Sequence, residues 1–449
     1  MRAAFAAMTA YHPSVRIAVP AAPLAPVLAL AALLATGDPA PARANGVNTH
    51  VWISFHAIDH LPDGELKRLL SDPALAPMIV NGSIFPDGGY AVQHDFGEAA
   101  HWGPFHAALV RWMQAELPTP YARGAARPYV AFLMGVASHG MADQIFDSTF
   151  MEAARGYDAA GWSDTLLDGF DTATDVLLVA ATGVDYRGTE PWLPAGALPG
   201  VFTEVGITVD DGTLLDAQSA MHTFILAYGA VNGRDPAAVA RYRDQYPWAA
   251  ARLMDPHEPG SPPCEAEVVA AYWLTLWDRL HGVDPLENQI IATYPPAGSD
   301  GHPTDHTRVE AQVVVVFGRG IADGVADKLR ITDVTGKAYG FTARPFYREA
   351  NAVAIRPTED WAADETLTVE LLPGIATVDG TIYDQGWSFD FSTRPASGPR
   401  DPMSDPTPHP GEPWTAPPEG SGCDGGCDAG GGAGLGVALA ALLARRRRR

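Results

Sequence analysis

Between Val130 and Asp147 the chain reads V-A-F-L-M-G-V-A-S-H-G-M-A-D-Q-I-F-D. Three residues in this run can do chemistry: His139, Asp143 and Asp147, an imidazole and two carboxylates recurring at every fourth position. At 3.6 residues per turn, positions i, i+4 and i+8 stay within about 80° of arc, so a helix places all three on one face. The surrounding Ala, Leu, Met, Phe and Val predict that this helix forms and is largely buried. Ionisable groups on a buried face need partners, because a lone buried charge is expensive. A divalent metal is one such partner, since His and Asp both ligate zinc at about 2 Å. A core histidine hydrogen-bonded to a neighbouring aspartate is the other reading of the same residues.

More metal-ligand types lie upstream. His50 stands near the start of an apolar segment, Asp87 lies in F-P-D, read here as a loop, and His101 opens H-W-G-P-F, where a helix is expected to start. Each has an ordinary role available when taken alone: a core or capping residue, a turn former, a residue of a helix N-terminus. His222 is isolated and reads as a packed helix histidine.

The elements that must position these residues are predominantly helical. Residues 45–285 predict one helical domain, with helices over Val51–His60, Gly64–Leu70, His101–Glu116, Val130–Met151, Trp162–Val179, Leu214–Tyr228, Pro236–Asp244 and Glu265–His281. Loops rich in Pro and Gly separate them, as at Phe85–Tyr90 and Trp192–Gly200. From about Ile290 the composition changes. The short β-branched or aromatic runs Ala311–Phe317, Lys328–Thr332, Val353–Pro357, Leu367–Leu372 and Trp387–Thr393 predict a small β-sandwich over 290–396.

The ends differ from the body. Residues 1–44 read as an export signal: Arg2 and Arg16, the apolar run Ile17–Ala35, then Ala42-Arg43-Ala44 as a small-residue cleavage site. Cleavage after Ala44 makes Asn45 the mature N-terminus; Met8 is an alternative start. Residues 397–422 are rich in Pro, Gly, Asp and Ser and read as an extended linker. Residues 423–449 combine Cys423 and Cys427, an apolar run from Ala429 to Ala444 and five Arg. That run is short for a membrane span of about 20 residues, and the Arg cluster favours the cytoplasmic side. Three Cys make no disulfide framework, and Cys264 reads as a buried apolar residue. Taking the eight Arg and one Asp of residues 1–44 and 445–449 from 30 basic and 53 acidic residues leaves 22 and 52, a formal charge of −30. So acidic a body argues against general nucleic-acid binding, which rests on neutralising phosphates.

Taken together, these residues resemble the zinc-dependent phospholipases C. G-V-N-T-H-V-W-I-S-F-H-A-I-D, residues 46–59, is similar to the opening of the bacterial phosphatidylcholine-preferring enzymes. The block F-P-D, H-D-F-G-E-A-A-H-W-G-P-F and A-F-L-M-G-V-A-S-H-G-M-A-D resembles the N-terminal domain of glycosylphosphatidylinositol-specific phospholipase D. The helix A-A-Y-W-L-T-L-W-D resembles the last helix of the bacterial enzymes. The likeness spans roughly 45–285 and implies an all-helical fold, shared with single-strand-specific nucleases, that carries a cluster of zinc ions.

The resemblance also implies a ligand set. Asp87, His101, His139 and Asp143 would hold one zinc; His50, a bridging Asp143 and the free N-terminus at Asn45 would hold another. A third position departs from the family, which places histidines there. Asp147 stands at the matching turn, followed by Asp171 and Asp175, with Asp164 and Asp168 as rivals. An all-carboxylate site favours Ca²⁺, Mg²⁺ or Mn²⁺ over zinc, so this position holds another divalent metal or none. His94, Asp95 and Glu98 are expected to hydrogen-bond to the ligand histidines. Asp87 is the residue expected to orient an attacking water.

The implied activity is metal-dependent hydrolysis of a phospholipid or other phosphodiester at a membrane surface. The alternatives are a non-catalytic surface module that keeps the fold, and a single-strand nuclease. The β part resembles Ig-like modules of the SbsA type, commonly spacers. The tail resembles the Cys–hydrophobic–Arg sorting signals of myxobacterial surface proteins, which implies a sorting protease and a cell-surface or released location.

Overall fold

The computed structural model describes residues 45–158, 169–284 and 290–394. The expected export signal, linker and sorting tail lie outside these residues, as do Asp164, Asp168, Cys423 and Cys427. The helices that carry or support the chemistry-bearing residues are α1 (Val47–His60), α2 (Ala76–Ser83), α3 (Phe85–Ala91), α4 (Phe96–Ala100), α5 (Gly103–Glu116), α6 (Arg127–Ile145), α7 (Phe170–Thr182) and α8 (Pro262–Leu280).

Helix α6 is the central element. Every residue from Val130 to Ile145 is buried, so it has no solvent-exposed face and must be wrapped on all sides. Its start suits Pro128, whose missing N–H costs nothing in a first turn. The predicted single helix Val130–Met151 is interrupted: α6 ends at Ile145, a π-helical turn covers Phe146–Phe150, and α-helix resumes at Met151. Such turns insert a residue into the helical register and recur at functional sites.

Helix α2 lies against α6 at backbone distance. A methyl on Gly82 would stand 2.3 Å from the Phe132 carbonyl oxygen, and one on Gly135 would stand 2.5 Å from that of Ile79. Glycine at both positions lets the two backbones touch, and this brings the Ser83 carbonyl to His139. On the other side α8 packs across α1 and α6, and its Trp273 Nε1 donates to the Met134 carbonyl at 2.7 Å.

Three sequence-based boundaries need correction. Phe85–Ala91, expected as a loop from its Pro and two Gly, is helix α3, so Asp87 is helical. Its glycines are there for close approach, since a methyl on Gly89 would stand 2.2 Å from Gly97 N. His101 does not begin a helix; it follows the last turn of α4, and α5 starts at Gly103. Within the stretch 192–200, also expected as a loop, a helix begins at Leu198 and runs to Glu204.

The β part is antiparallel throughout its ladders. Strands β1 (Ile290–Tyr294), β2 (Val313–Phe317), β3 (Leu329–Asp333), β4 (Phe341–Pro345), β5 (Ala352–Pro357), β6 (Thr366–Leu371), β7 (Ile375–Ala376), β8 (Ile382–Tyr383) and β9 (Trp387–Ser392) follow in order. They form a four-stranded sheet β1-β2-β5-β4, a three-stranded sheet β3-β6-β9 and the ribbon β7-β8. The two larger sheets share one apolar core containing Val315, Ile355, Ile331, Val369 and Phe389.

Strand β2 has no polar face, and the fold supplies the reason. Val313, Val315 and Phe317 face the core between the sheets, whereas Val314 and Val316 join the core of the helical part. A strand covered on both sides reads as a continuous apolar run. Cys264 is half-buried at the same junction, its Sγ 3.2 Å from the Tyr294 hydroxyl of β1, where full burial was expected.

Candidate metal centre

His139 and Asp143 lie one turn apart on α6, both buried. His101 comes in over them at the end of α4. That approach is possible because residue 140 is glycine: a methyl there would stand 1.9 Å from the His101 carbonyl oxygen. Asp87 arrives from the first turn of α3 and His50 from the first turn of α1. Five residues predicted from sequence spacing and resemblance, drawn from three helices and the end of α4, thus meet at one place.

Two carboxylate oxygens each lie within 4 Å of both imidazole Nε2 atoms. The Nε2 atoms of His101 and His139 are 3.0 Å apart. Asp143 Oδ2 is 3.3 Å from each of them. Asp87 Oδ1 is 3.6 Å from His139 Nε2 and 3.9 Å from His101 Nε2, beyond hydrogen-bond range. Ligands at about 2 Å around a tetrahedral zinc stand about 3.3 Å from one another, close to this spacing.

Their protons argue the same way. His139 Nδ1 is 2.7 Å from the Ser83 carbonyl oxygen, and His101 Nδ1 is 2.7 Å from that of Gly97. A carbonyl only accepts, so both Nδ1 atoms carry a hydrogen, and in the neutral rings, the form that can ligate a metal, both Nε2 atoms turn lone pairs inward. Asp143 Oδ2 and Asp87 Oδ1 are buried there without a hydrogen-bond partner. Lone pairs and carboxylate oxygens facing one another in a buried space repel unless a cation lies between them. One proton can satisfy one pair; a divalent ion satisfies all four. The donor set therefore fits a metal.

Burial opposes charge at each of these groups, yet the imidazoles hold Asp87 below the usual carboxylate range and Asp143 well below it. Burial also disfavours protonated His139, but the carboxylates of Asp143 and Asp87 prevail and push it up to about 10. At His50 burial and the neighbouring His139 prevail, and its pKa is lowered. The cluster attracts positive charge strongly enough to hold a proton on His139 above neutral pH.

A second group shares Asp143. His50 Nε2 lies 3.0 Å from Asp143 Oδ1 without hydrogen-bond alignment, its ring stacked on His139 at 3.7 Å. The Asn45 main-chain N lies 3.3 Å from the same oxygen. Oδ2 of Asp143 thus faces His101 and His139, and Oδ1 faces His50 and Asn45.

Asp147, Asp171 and Asp175 are all buried, but they belong to none of the groups of three ligand atoms that gather within 4.8 Å among the described residues. Asp175 is engaged at the N-terminus of α1, accepting from Asn48 Nδ2 at 2.8 Å and from Thr49 N at 2.9 Å. A carboxylate there satisfies orphan N–H groups and complements the helix dipole. Burial nonetheless pushes Asp175 up to about 6. Asp147 Oδ2 accepts from the Tyr347 hydroxyl at 2.6 Å.

Glu98 accepts from Trp102 Nε1 at 2.8 Å and from the Tyr90 hydroxyl at 2.7 Å. It steadies Tyr90 and Trp102, whose rings lie beside His101, and makes no bond to a ligand histidine among those described. His94 accepts from the Phe96 N–H and shapes the turn into α4. Asp95 is exposed. His222 is half-buried against Asn81, 2.7 Å away, as expected of a packed histidine.

Two supporting residues escaped the sequence reading. Glu265 of α8 is fully buried, and both its oxygens accept from Asn45 Nδ2 at 3.0 Å. His106 lies between the Tyr272 hydroxyl, at 3.0 Å, and the Ala100 carbonyl, at 3.2 Å, and so fixes the residue before His101. Burial lowers His106 to about 3, which keeps it neutral. The only sequence signal for either is a polar residue in an apolar helix.

Over 186 residues the chain is 25% identical to the phosphatidylinositol-glycan-specific phospholipase D of Dictyostelium discoideum; the match takes in 37% of this chain and 19% of that protein. The chain thus spans about a fifth of the length of the curated relative it matches. No family model matches it. Among solved structures, CopC from Methylosinus trichosporium OB3b aligns with 25% of this chain and 97% of its own, at 18% identity and a TM-score of 0.20. The S-layer protein SbsC aligns with 73% of this chain and 46% of its own, at 12% identity and a TM-score of 0.20. At such scores neither carries an argument.

Proposed function

We propose that this chain is an exported, metal-dependent phosphodiesterase of the phospholipase C type, acting on phospholipid head-group phosphodiesters. The observation that carries the reading is the inward-facing set of His101, His139, Asp143 and Asp87, with His50 on the second oxygen of Asp143. The partial likeness to a phospholipase supports the substrate class.

Mixed imidazole and carboxylate donors suit zinc. When bound, two close divalent ions supply a water acidified toward neutrality and a clamp for phosphate oxygens. The chain's own residues do the rest. Ser83 and Gly97 carbonyls fix the tautomers of His139 and His101. Asp143 holds the two groups in register. Asp87, whose side chain is 12% exposed against 0–6% for its three neighbours, is the member that water and substrate reach. It is the residue suited to orient a water and share its proton. Two ions match the two groups; Asp147, Asp171 and Asp175, expected from the resemblance to hold a third divalent ion, form no such group among the described residues.

Elemental analysis of the purified mature chain, with hydrolysis of a soluble phosphodiester measured alongside, tests this. Two ions per chain and hydrolysis are expected. A metal-free, inactive chain would instead be a non-catalytic module, and faster cleavage of single-stranded nucleic acid than of lipid would make it a nuclease.

We also propose that residues 423–449 act as a sorting tail cut by a protease near Cys423 or Cys427. Deleting them should leave the hydrolytic rate unchanged and move the protein from the cell surface to the medium. A truncated chain that stays cell-associated in fractionation rules the sorting role out.

A further inference from the structure

The β part meets the helical part on the helix that carries the metal-centre residues. Gln144, the neighbour of Asp143, accepts from Asn351 N at 2.6 Å and from Ala352 N at 3.3 Å. Gln312 donates its side-chain amide to the Ser148 carbonyl in the π-helical turn. Val314 and Val316 of β2 and Ala352 of β5 complete the apolar core beside these bonds. The loop between β4 and β5 is thereby fixed against the end of α6.

Tyr347 stands in that loop. Its hydroxyl donates to Asp147 Oδ2 at 2.6 Å, a short charge-assisted bond. Its ring centroid is 5.5 Å from that of Trp102, the residue after His101. Asp147 is 1% exposed and follows Asp143 by four residues.

We propose that Tyr347 is a positioning residue of the metal centre, fixing the Asp147 carboxylate and, with Trp102, walling the site beside His101. The β part is then a component of the site and not a spacer. The inference rests on the metal-dependent reading above. Its physical basis is that a buried carboxylate near a ligand cluster can turn toward or away from it. A phenol hydroxyl held by a separate sheet selects one orientation. Losing an outer partner of this kind typically costs about 10–100-fold in metal affinity or rate.

The test uses the full mature chain and three variants: Tyr347→Phe, Asp147→Asn and the double. Zinc titration of metal-stripped protein and the kcat and KM for a soluble phosphodiester are measured on each. Tyr347→Phe should keep both ions per chain and its melting temperature, weaken zinc binding and lower kcat by about tenfold, and leave KM nearly unchanged. The double variant should be no worse than Asp147→Asn alone if the hydroxyl acts on the site through that carboxylate. Wild-type zinc affinity and kcat in Tyr347→Phe, or additive losses in the double variant, overturn the proposal while the metal-dependent reading stands. A wild-type chain that takes up no metal overturns both.

Discussion

An Asp143→Asn chain is expected to lose more than one metal ion and all measurable phosphodiesterase activity. The two oxygens of this carboxylate face different groups: Oδ2 lies 3.3 Å from both His101 and His139, and Oδ1 lies 3.0 Å from His50. An amide keeps the size of the side chain but removes the charge and turns one oxygen into an N–H donor. That donor would point at imidazole nitrogens already arranged to face a cation. Replacing a residue confined to one group, such as His50→Ala, should remove one ion and leave the other. The pattern is read by metal content per chain after dialysis, together with the rate on a soluble phosphodiester. Unchanged metal content and an ordinary rate in Asp143→Asn would mean that the centre lies elsewhere.

The contrast between these residues shows what a sequence can disclose. His139 and Asp143 were legible because a helix repeats every 3.6 residues and, with Asp147, they are the only ionisable residues in a mostly apolar run. That His50, Asp87 and His101 join them was legible only through resemblance, since they arrive on separate helices and share no local period. The helix around Asp87 was hidden because Pro86, Gly88 and Gly89 carry the signature of a turn. In the fold the proline opens the helix and Gly89 lets α3 and α4 touch. Propensity was overridden by tertiary packing there.

Glu265 shows a different limit. In the first turn of α8 a glutamate is unremarked, favoured by the helix dipole. Only the fold reveals that it is buried and spent on Asn45. Strand β2 was legible as a strand from its four valines, but its second apolar face had no partner until the helical core was placed against it. The bond from Tyr347 to Asp147 joins residues 200 positions apart, and no local pattern encodes such a pair.

The mature N-terminus proposed at Asn45 carries the second large effect. Asn45 is 2% exposed, its side chain is held by Glu265, and its main-chain N lies 3.3 Å from Asp143 Oδ1. Gly46 allows the segment to pass: a methyl there would stand 2.2 Å from Asp175 Cβ. The slot therefore accepts Asn-Gly and sets the nitrogen of residue 45 beside the carboxylate shared by both groups. Inside a longer chain that nitrogen is an amide, with no lone pair to offer a metal. Freed by cleavage, it is an amine with an ordinary pKa of about 8, able to ligate once deprotonated. A chain beginning at Asn45 should hold two ions per molecule. The same chain with one extra Met should keep its fold, lose the ion beside His50, and fall in rate by at least the roughly 10–100-fold typical of lesser disturbances around a metal. Circular dichroism checks the fold, elemental analysis the ions, and a soluble phosphodiester the rate. The charge state gives a second signature. Protons compete for the free amine, so retention of the ion beside His50 by the Asn45 chain should fall as pH drops through the range in which the amine protonates. The extended chain, lacking that ligand, should show no such step. Equal metal content and equal rates in the two preparations would remove the N-terminus from the site and leave His50 and Asp143 to hold the second ion without it.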